Sequence, residues 1–342
     1  MTMNKVKKIF LISAAGMIVA GLIIAIVSMA FVKFDFTQLD TQDWQTNTYE
    51  IEETFENIEI HGIETDVKII PATDGVCKVV CTENDTIYNE IEVTENTLSI
   101  IRVDKSKKRV FMSVEFEQPK TTVYLPEQVY VKLLIENSSG NIEIPEGFTF
   151  EEATVENTSG QIVFYADVKG TLSAKSSSGG VRVGKNTIGS LSAVASSGAA
   201  SVKSATVKED VSVETSSGSI LIEEVACTKL RVKNSSGSIN LSDVKAEELE
   251  GENSSGEIRC NNVMVAGDMK LSNTSGGMEI DGCDAANLKL TSSSGSIRGT
   301  LLTEKIFVAD ATSGSVDVPK TTNGGMCEVT TTSGSIKMSI VE

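Results

Sequence analysis

From Leu133 onward, apolar residues return in a frame fixed by a recurring glycine. Seven positions before that glycine stand Leu133, Ala153, Leu172, Leu191, Val211, Leu230, Leu249, Met269, Leu288, Phe307 and Cys327. Two positions after it stand Ile142, Ile162, Val181, Ala200, Ile220, Ile239, Ile258, Met278, Ile297, Val316 and Ile336. The positions five before (Val213, Val232, Leu271) and four after (Ile222, Leu241, Ile280) are mostly apolar as well. Apolar side chains at spacing two, with polar ones between, predict short strands with one buried face. Between the two strands lies Ser or Thr, then Ser-Gly. Its glycines are Gly140, Gly160, Gly179, Gly198, Gly218, Gly237, Gly256, Gly276, Gly295, Gly314 and Gly334, always 19 or 20 residues apart.

A constant period over about two hundred residues predicts a solenoid. Nineteen residues leave little room for a helix beside two strands, and the L-x-x-L-x-L-x-x-N signature of leucine-rich repeats is missing. The expectation is all-β: a parallel β-solenoid of about eleven coils over residues 137–342, stacked at about 4.8 Å per coil. Glycine at the reversal accommodates positive φ, and Ser, Thr and Asn side chains bond nearby backbone. A flat Ser/Thr array could also bind ice or glycan; a position beside the turn glycine favours turn chemistry.

Residues 49–136 show strand patterns without the Ser-Gly period. The expected strands are Asn57–Ile60, Asp66–Ile70, Val76–Thr82, Ile87–Thr94, Thr97–Val103, Val110–Phe116, Thr121–Leu125 and Tyr130–Ile135. An open solenoid end templates aggregation, so this segment reads as an irregular β cap with the first coils. No long cap follows the last coil, which predicts a frayed or partner-covered C-terminal edge.

Ahead of the cap, Ile9–Val32 run for 24 residues without a charge. As a helix that is about 36 Å, enough to cross roughly 30 Å of hydrocarbon. Lys5, Lys7 and Lys8 precede it, so residues 1–8 are expected in the cytoplasm, 9–32 as a transmembrane anchor and the rest outside. The alternative is a secreted chain cleaved near Ala30, after Ser28-Met29-Ala30, although signal-peptide cores are shorter, at ~7–15 residues. Residues 33–48 read as a linker whose Phe34, Phe36 and Trp44 are placed to sit near lipid headgroups.

Charge narrows the partners. The chain has 30 basic and 47 acidic residues, a net of −17, and the part beyond residue 32 carries −20. That argues against nucleic acid, whose binding neutralises phosphates. Six cysteines occur without a C-x-x-C pair, which speaks for buried thiols over a zinc site or a disulfide framework; Cys77 and Cys81, on one strand, are too far apart to bridge. His61 is the only histidine, beside a Gly turn, and reads as structural. Four before the glycine, the outward column runs Glu136, Glu156, Lys175, Val194, Glu214, Lys233, Glu252, Ser272, Thr291, Asp310 and Thr330. Glu214, Lys233 and Glu252 alternate in sign, with Arg231 and Glu250 beside them, which predicts a salt-bridged face rather than a catalytic cleft. No catalytic, cofactor-binding or metal-binding residue is predicted.

Phe55-Glu56-Asn57-Ile58-Glu59-Ile60, then Asp66-Val67-Lys68-Ile69-Ile70-Pro71, Thr97-Leu98-Ser99-Ile100 and Val123-Tyr124-Leu125-Pro126, lead into the N-S-S-G-x-I coils. Over about residues 50–342 this resembles the bacterial β-strand-repeat domain of unknown function labelled "putative adhesin". The resemblance implies an envelope protein, sometimes tied to envelope-stress systems, with no catalytic residues to carry over. The expected function is a membrane-anchored, non-enzymatic structural or binding module outside the cell. Cell-wall glycan, a host surface or a membrane protein are its expected partners. An envelope-stress accessory is the second reading, and a carbohydrate-active β-helix enzyme the third.

Overall fold

The computed structural model describes residues 14, 16–24, 26–28, 44–106 and 119–341. Its folded part is a parallel β-solenoid of about ten turns, the spacings that eleven corner glycines enclose. Each regular coil has three sides. The first ends at the Ser-Gly corner and buries the columns seven and five before the glycine. The second buries those two and four after it. The third was not expected to be a strand. In the central coils the chain stays extended around it, giving strands such as Ile220–Ser236, Ile239–Ser255 and Ile258–Ser275. It buries Ala205, Val225, Val244, Val263 and Cys283, seven past the glycine. The corner before it is left-handed: Lys185, Ser204, Glu224, Asp243, Asn262 and Gly282 all have φ of 51–57°. Asn, Asp and Gly take that conformation most cheaply. Where a coil has 20 residues, the extra one is a bulge: Ala246 pairs with Val265, but Leu249 pairs with Met269.

The corner glycines are required chiefly by contact between coils. A Cβ at Gly160, Gly179, Gly198, Gly218, Gly256 or Gly276 would fall on the carbonyl oxygen of the corner glycine one coil below. Positive φ explains only some of these positions, since Gly179, Gly198 and Gly218 do not adopt it. Three residues before the glycine, a polar side chain turns inward and bonds that same carbonyl. Asn157 donates from Nδ2 to Gly140 O at 2.8 Å, Asn234 to Gly218 O at 2.9 Å and Asn273 to Gly256 O at 2.8 Å. Ser176 and Thr331 do so through hydroxyls, to Gly160 O at 3.1 Å and Gly295 O at 3.0 Å. These side chains are buried, so each bond gives an inward amide or hydroxyl a backbone partner.

The two ends differ. At the N-terminal end, the coil Asn57–Ile63 and Asp66–Pro71 lies between the Gly140 coil and an outer coil, Thr97–Asp104 with Lys120–Leu125. Antiparallel strands Gln45–Ile51, Cys77–Glu83 and Ile87–Thr94 close that end. A column of rings, Phe55, Tyr130, Phe150 and Phe164 with centroids 5.8–6.4 Å apart, ties cap to coils. Trp44 is half-buried beneath the Arg102 guanidinium, 5.9 Å from its ring centre, so it packs on the cap. Strand Gln45–Ile51 begins inside the stretch read as a linker.

At the C-terminal end the coils leave sequence order. Strand Gly325–Ser333 pairs on one side with Leu288–Ser294 and on the other with Lys305–Ser313. Ile336–Ile340 likewise lies between Ile297–Leu301 and Val316–Asp317. The last coil of the chain is therefore inserted beneath the one that precedes it. This corrects the expectation of a frayed C-terminal coil: ladders on both faces hold it, and the exposed edge belongs to residues 305–317.

Among the described residues no helix is long and apolar enough to cross a membrane. Residues 16–24 and 26–28 are helical and exposed; the rest of the expected span Ile9–Val32 lies, apart from Ala14, outside the described residues, as does the expected strand Val110–Phe116.

Candidate functional site

Because strands run in register, the outward columns become ladders of one charge above another. Lys229 meets Glu248 at 3.0 Å, Arg231 meets Glu250 at 3.2 Å and Lys233 meets Glu252 at 3.9 Å, each across one coil. Lys203–Glu223 and Lys169–Glu151, both at 2.7 Å, extend the theme on other sides. All are exposed, and such pairs contribute about 0–1 kcal/mol each. They hold a flat polar face without gathering carboxylates for acid–base work. His61 joins the ladder as well, its Nδ1 3.0 Å from Glu136 and its Nε2 3.6 Å from Glu59. Among the described residues no three of His, Cys, Asp and Glu are grouped to hold a metal ion.

The most organised polar cluster was not singled out from the sequence. Glu83 is buried at the end of Cys77–Glu83 and accepts four bonds. The donors are Asn47 Nδ2 at 2.7 Å, Tyr49 OH at 2.7 Å, Asn89 N at 2.6 Å and Asn89 Nδ2 at 2.8 Å. Alternation along Cys77, Val79, Cys81 and Glu83 was the available signal, since it places the acid on the inward face. Burial pushes the Glu83 carboxyl up, yet its donors outweigh that and hold it below the usual value. Burial, then the bond to Glu83, push Tyr49 up to about 12. With these donors directed at one carboxylate, the cluster staples three cap strands together.

A folded-state pKa below the unfolded one gives stability that is present at neutral pH and lost as pH falls through the folded value. Hydrogen exchange in residues 77–94 should therefore accelerate below about pH 4, an ordinary glutamate titrating near 4.3. Glu83→Gln should cost roughly 2–4 kcal/mol at pH 7 and flatten that acid dependence. An unchanged acid dependence would assign it to other carboxylates.

The six cysteines are free. Burial pushes Cys77, Cys81, Cys227 and Cys327 up to about 12 and Cys283 up to about 11, which leaves them as poor nucleophiles. One buried ion pair also lay outside the sequence reading: Lys305 Nζ and Asp284 Oδ1, 2.7 Å apart with only 5% and 14% of their side chains exposed.

The sequence matches the Toastrack DUF4097 family over residues 55–184, 165–281 and 229–342. The chain belongs to this family. Similar solved structures include a "putative adhesin" from Parabacteroides distasonis, 14% identical, covering 87% of this chain and 98% of its own, with a TM-score of 0.41. A "putative adhesin" from Parabacteroides merdae is 14% identical over 89% and 98%, with a TM-score of 0.36. A "putative lipid binding protein" from Parabacteroides distasonis is 17% identical over 89% and 98%, with a TM-score of 0.37. At such values none of these names carries over to this Toastrack chain. No curated protein matches it.

Proposed function

We propose that this Toastrack chain is a non-catalytic binding or structural module of the cell envelope, held at the membrane by Ile9–Val32 with its solenoid outside. The observation that carries the reading is the ladder architecture. Successive coils present mostly polar side chains at a fixed repeat, and opposite charges one coil apart, such as Arg231–Glu250, pair in place. Such a surface is rigid and extended, suited to meeting a repetitive or broad partner through many weak contacts. The uncharged run from Ile9 to Val32 and the preceding Lys5, Lys7 and Lys8 support the anchor and its direction.

The display is tested by Lys208→Cys, an exposed position, with a membrane-impermeant maleimide on intact cells. Labelling without permeabilisation is the expected result, above a background measured on the unsubstituted chain, in which five native thiols are buried and Cys227 is partly exposed. Labelling only after permeabilisation would contradict an external solenoid.

A further inference from the structure

The outermost coil at the C-terminal end differs from those below it in ways that share one physical consequence. Among the described strands, Lys305–Ser313 pairs only with Gly325–Ser333, and Val316–Asp317 only with Ile336–Ile340. Its inward columns are half open: Phe307, Ala309, Ala311 and Val318 are only partly buried. Val316 is 44% exposed where its equivalents Ile297 and Ile336 are 0%. The inward polar position three before the glycine is Ala311, so this coil lacks the bond that Thr331 makes to Gly295 O. Its second side is two residues long, and Pro319 just beyond supplies no N–H to lengthen the ladder. The chain enters and leaves through the irregular segments 302–304 and 318–324, so lifting this coil frees no terminus.

The base of that loop is fastened by a backbone bond from Leu302 N to Cys283 O at 3.1 Å and by a side-chain cluster at Lys305. Lys305 Nζ reaches Asp284 Oδ1 in the body of the solenoid and also donates to Thr303 Oγ1 on the incoming segment. Thr303 Oγ1 donates to Asp284 Oδ1 at 3.1 Å, and Thr321 Oγ1 on the outgoing segment donates to Lys305 O. Both hinges and the body thus converge on Lys305.

We infer that residues 302–324 form a hinged strap that opens and closes over the inserted C-terminal coil, with the Lys305–Asp284 pair as its latch. Opening breaks the ladders to Gly325–Ser333 and Ile336–Ile340 and uncovers Cys327, Val329, Ile336 and Met338, which are otherwise buried. The C-terminal coil stays seated through its ladder to Leu288–Ser294 and Ile297–Leu301. The movable end of the solenoid is therefore an internal loop, not the chain terminus.

Cys327 lies under the strap, and Cys260, equally buried on an interior coil, is a built-in reference. In the full chain, thiol labelling resolved by site should modify Cys327 at least about 10-fold faster than Cys260, because local opening is easier than opening an interior coil. Asp284→Asn should raise the Cys327 rate several-fold further and leave Cys260 unchanged. Cys327 reacting no faster than Cys260, or both rising together in the variant, would overturn the strap. Hydrogen exchange supplies a second reading on the native chain. Amides of residues 305–313 should exchange faster than those of 327–333, and the reverse order would mean that the C-terminus frays first.

Discussion

Gly179→Ala is expected to cost more than about 4 kcal/mol, placing it among the rare severe single substitutions. The added Cβ would fall on the carbonyl oxygen of Gly160 in the adjoining coil. The contact is with backbone at corners held between paired strands, so the carbonyl cannot turn aside as a side chain would. Raising the coil to make room would break the ladders on either side of the corner. Gly179 does not have positive φ, so the substitution isolates coil contact from backbone conformation. Gly147→Ala is the matched control. Gly147 has φ of 96° but open space where its Cβ would stand, so strain alone should cost about 1–2 kcal/mol. Urea unfolding followed by far-ultraviolet circular dichroism measures both. Equal costs would mean that the corner selects glycine for its conformation and not for the close stacking of coils.

Phe150→Ala should cost about 3–5 kcal/mol and should uncouple the two parts of the fold. Its ring is fully buried, 5.8 Å from Tyr130 and 6.4 Å from Phe164 by centroid. It is an interior member of the four-ring column that joins cap to regular coils. In a solenoid each coil contacts only its neighbours, so a deep cavity weakens one interface and leaves distant ones intact. Trp44, the only tryptophan, packs on the cap and reports it by fluorescence, whereas circular dichroism is dominated by the coils. The variant's fluorescence transition should move to lower urea than its dichroism transition. Val129→Ala, at an exposed position one residue from Tyr130, should move neither by more than about 0.5 kcal/mol. Two transitions that stay superimposed in Phe150→Ala would contradict a stack of separable interfaces.

The columns that could be read in advance were those where one residue class fills one inward position: Leu at seven before the glycine, Ile at two after. Three other columns were obscured for separate physical reasons. Asn157, Asn234, Asn253 and Asn273 are polar yet inward, so they looked like turn chemistry until their bonds to the glycine carbonyls were seen. The left-handed corner is filled by Lys185, Ser204 and Glu224 as well as Asp243, Asn262 and Gly282, because it is exposed and tolerates any polar side chain that accepts the strain. The third side carries Ala205 and Cys283 among its valines, too mixed a column to stand out.

Coil order at the C-terminal end was not legible for a deeper reason. The Gly314 and Gly334 coils present the same frame, so either can rest on the Gly295 coil. What separates them is what the outer one lacks. Ala311 stands where Thr331 bonds the coil below, and Pro319 follows a second side of two residues. Glu83 was hidden by the opposite habit, since an acid at a strand end reads as solvent-facing unless the alternation is carried one residue further.

Co-sedimentation of residues 45–342 with isolated cell-wall sacculi across a salt series tests the functional account most directly. A binding module of the envelope wall predicts saturable binding that persists when salt shortens the Debye length from about 10 Å at 0.1 M to about 3 Å at 1 M. Binding that vanishes over that range would be charge attraction alone. No binding at any salt would contradict a wall partner and turn the search to a membrane protein or a host surface.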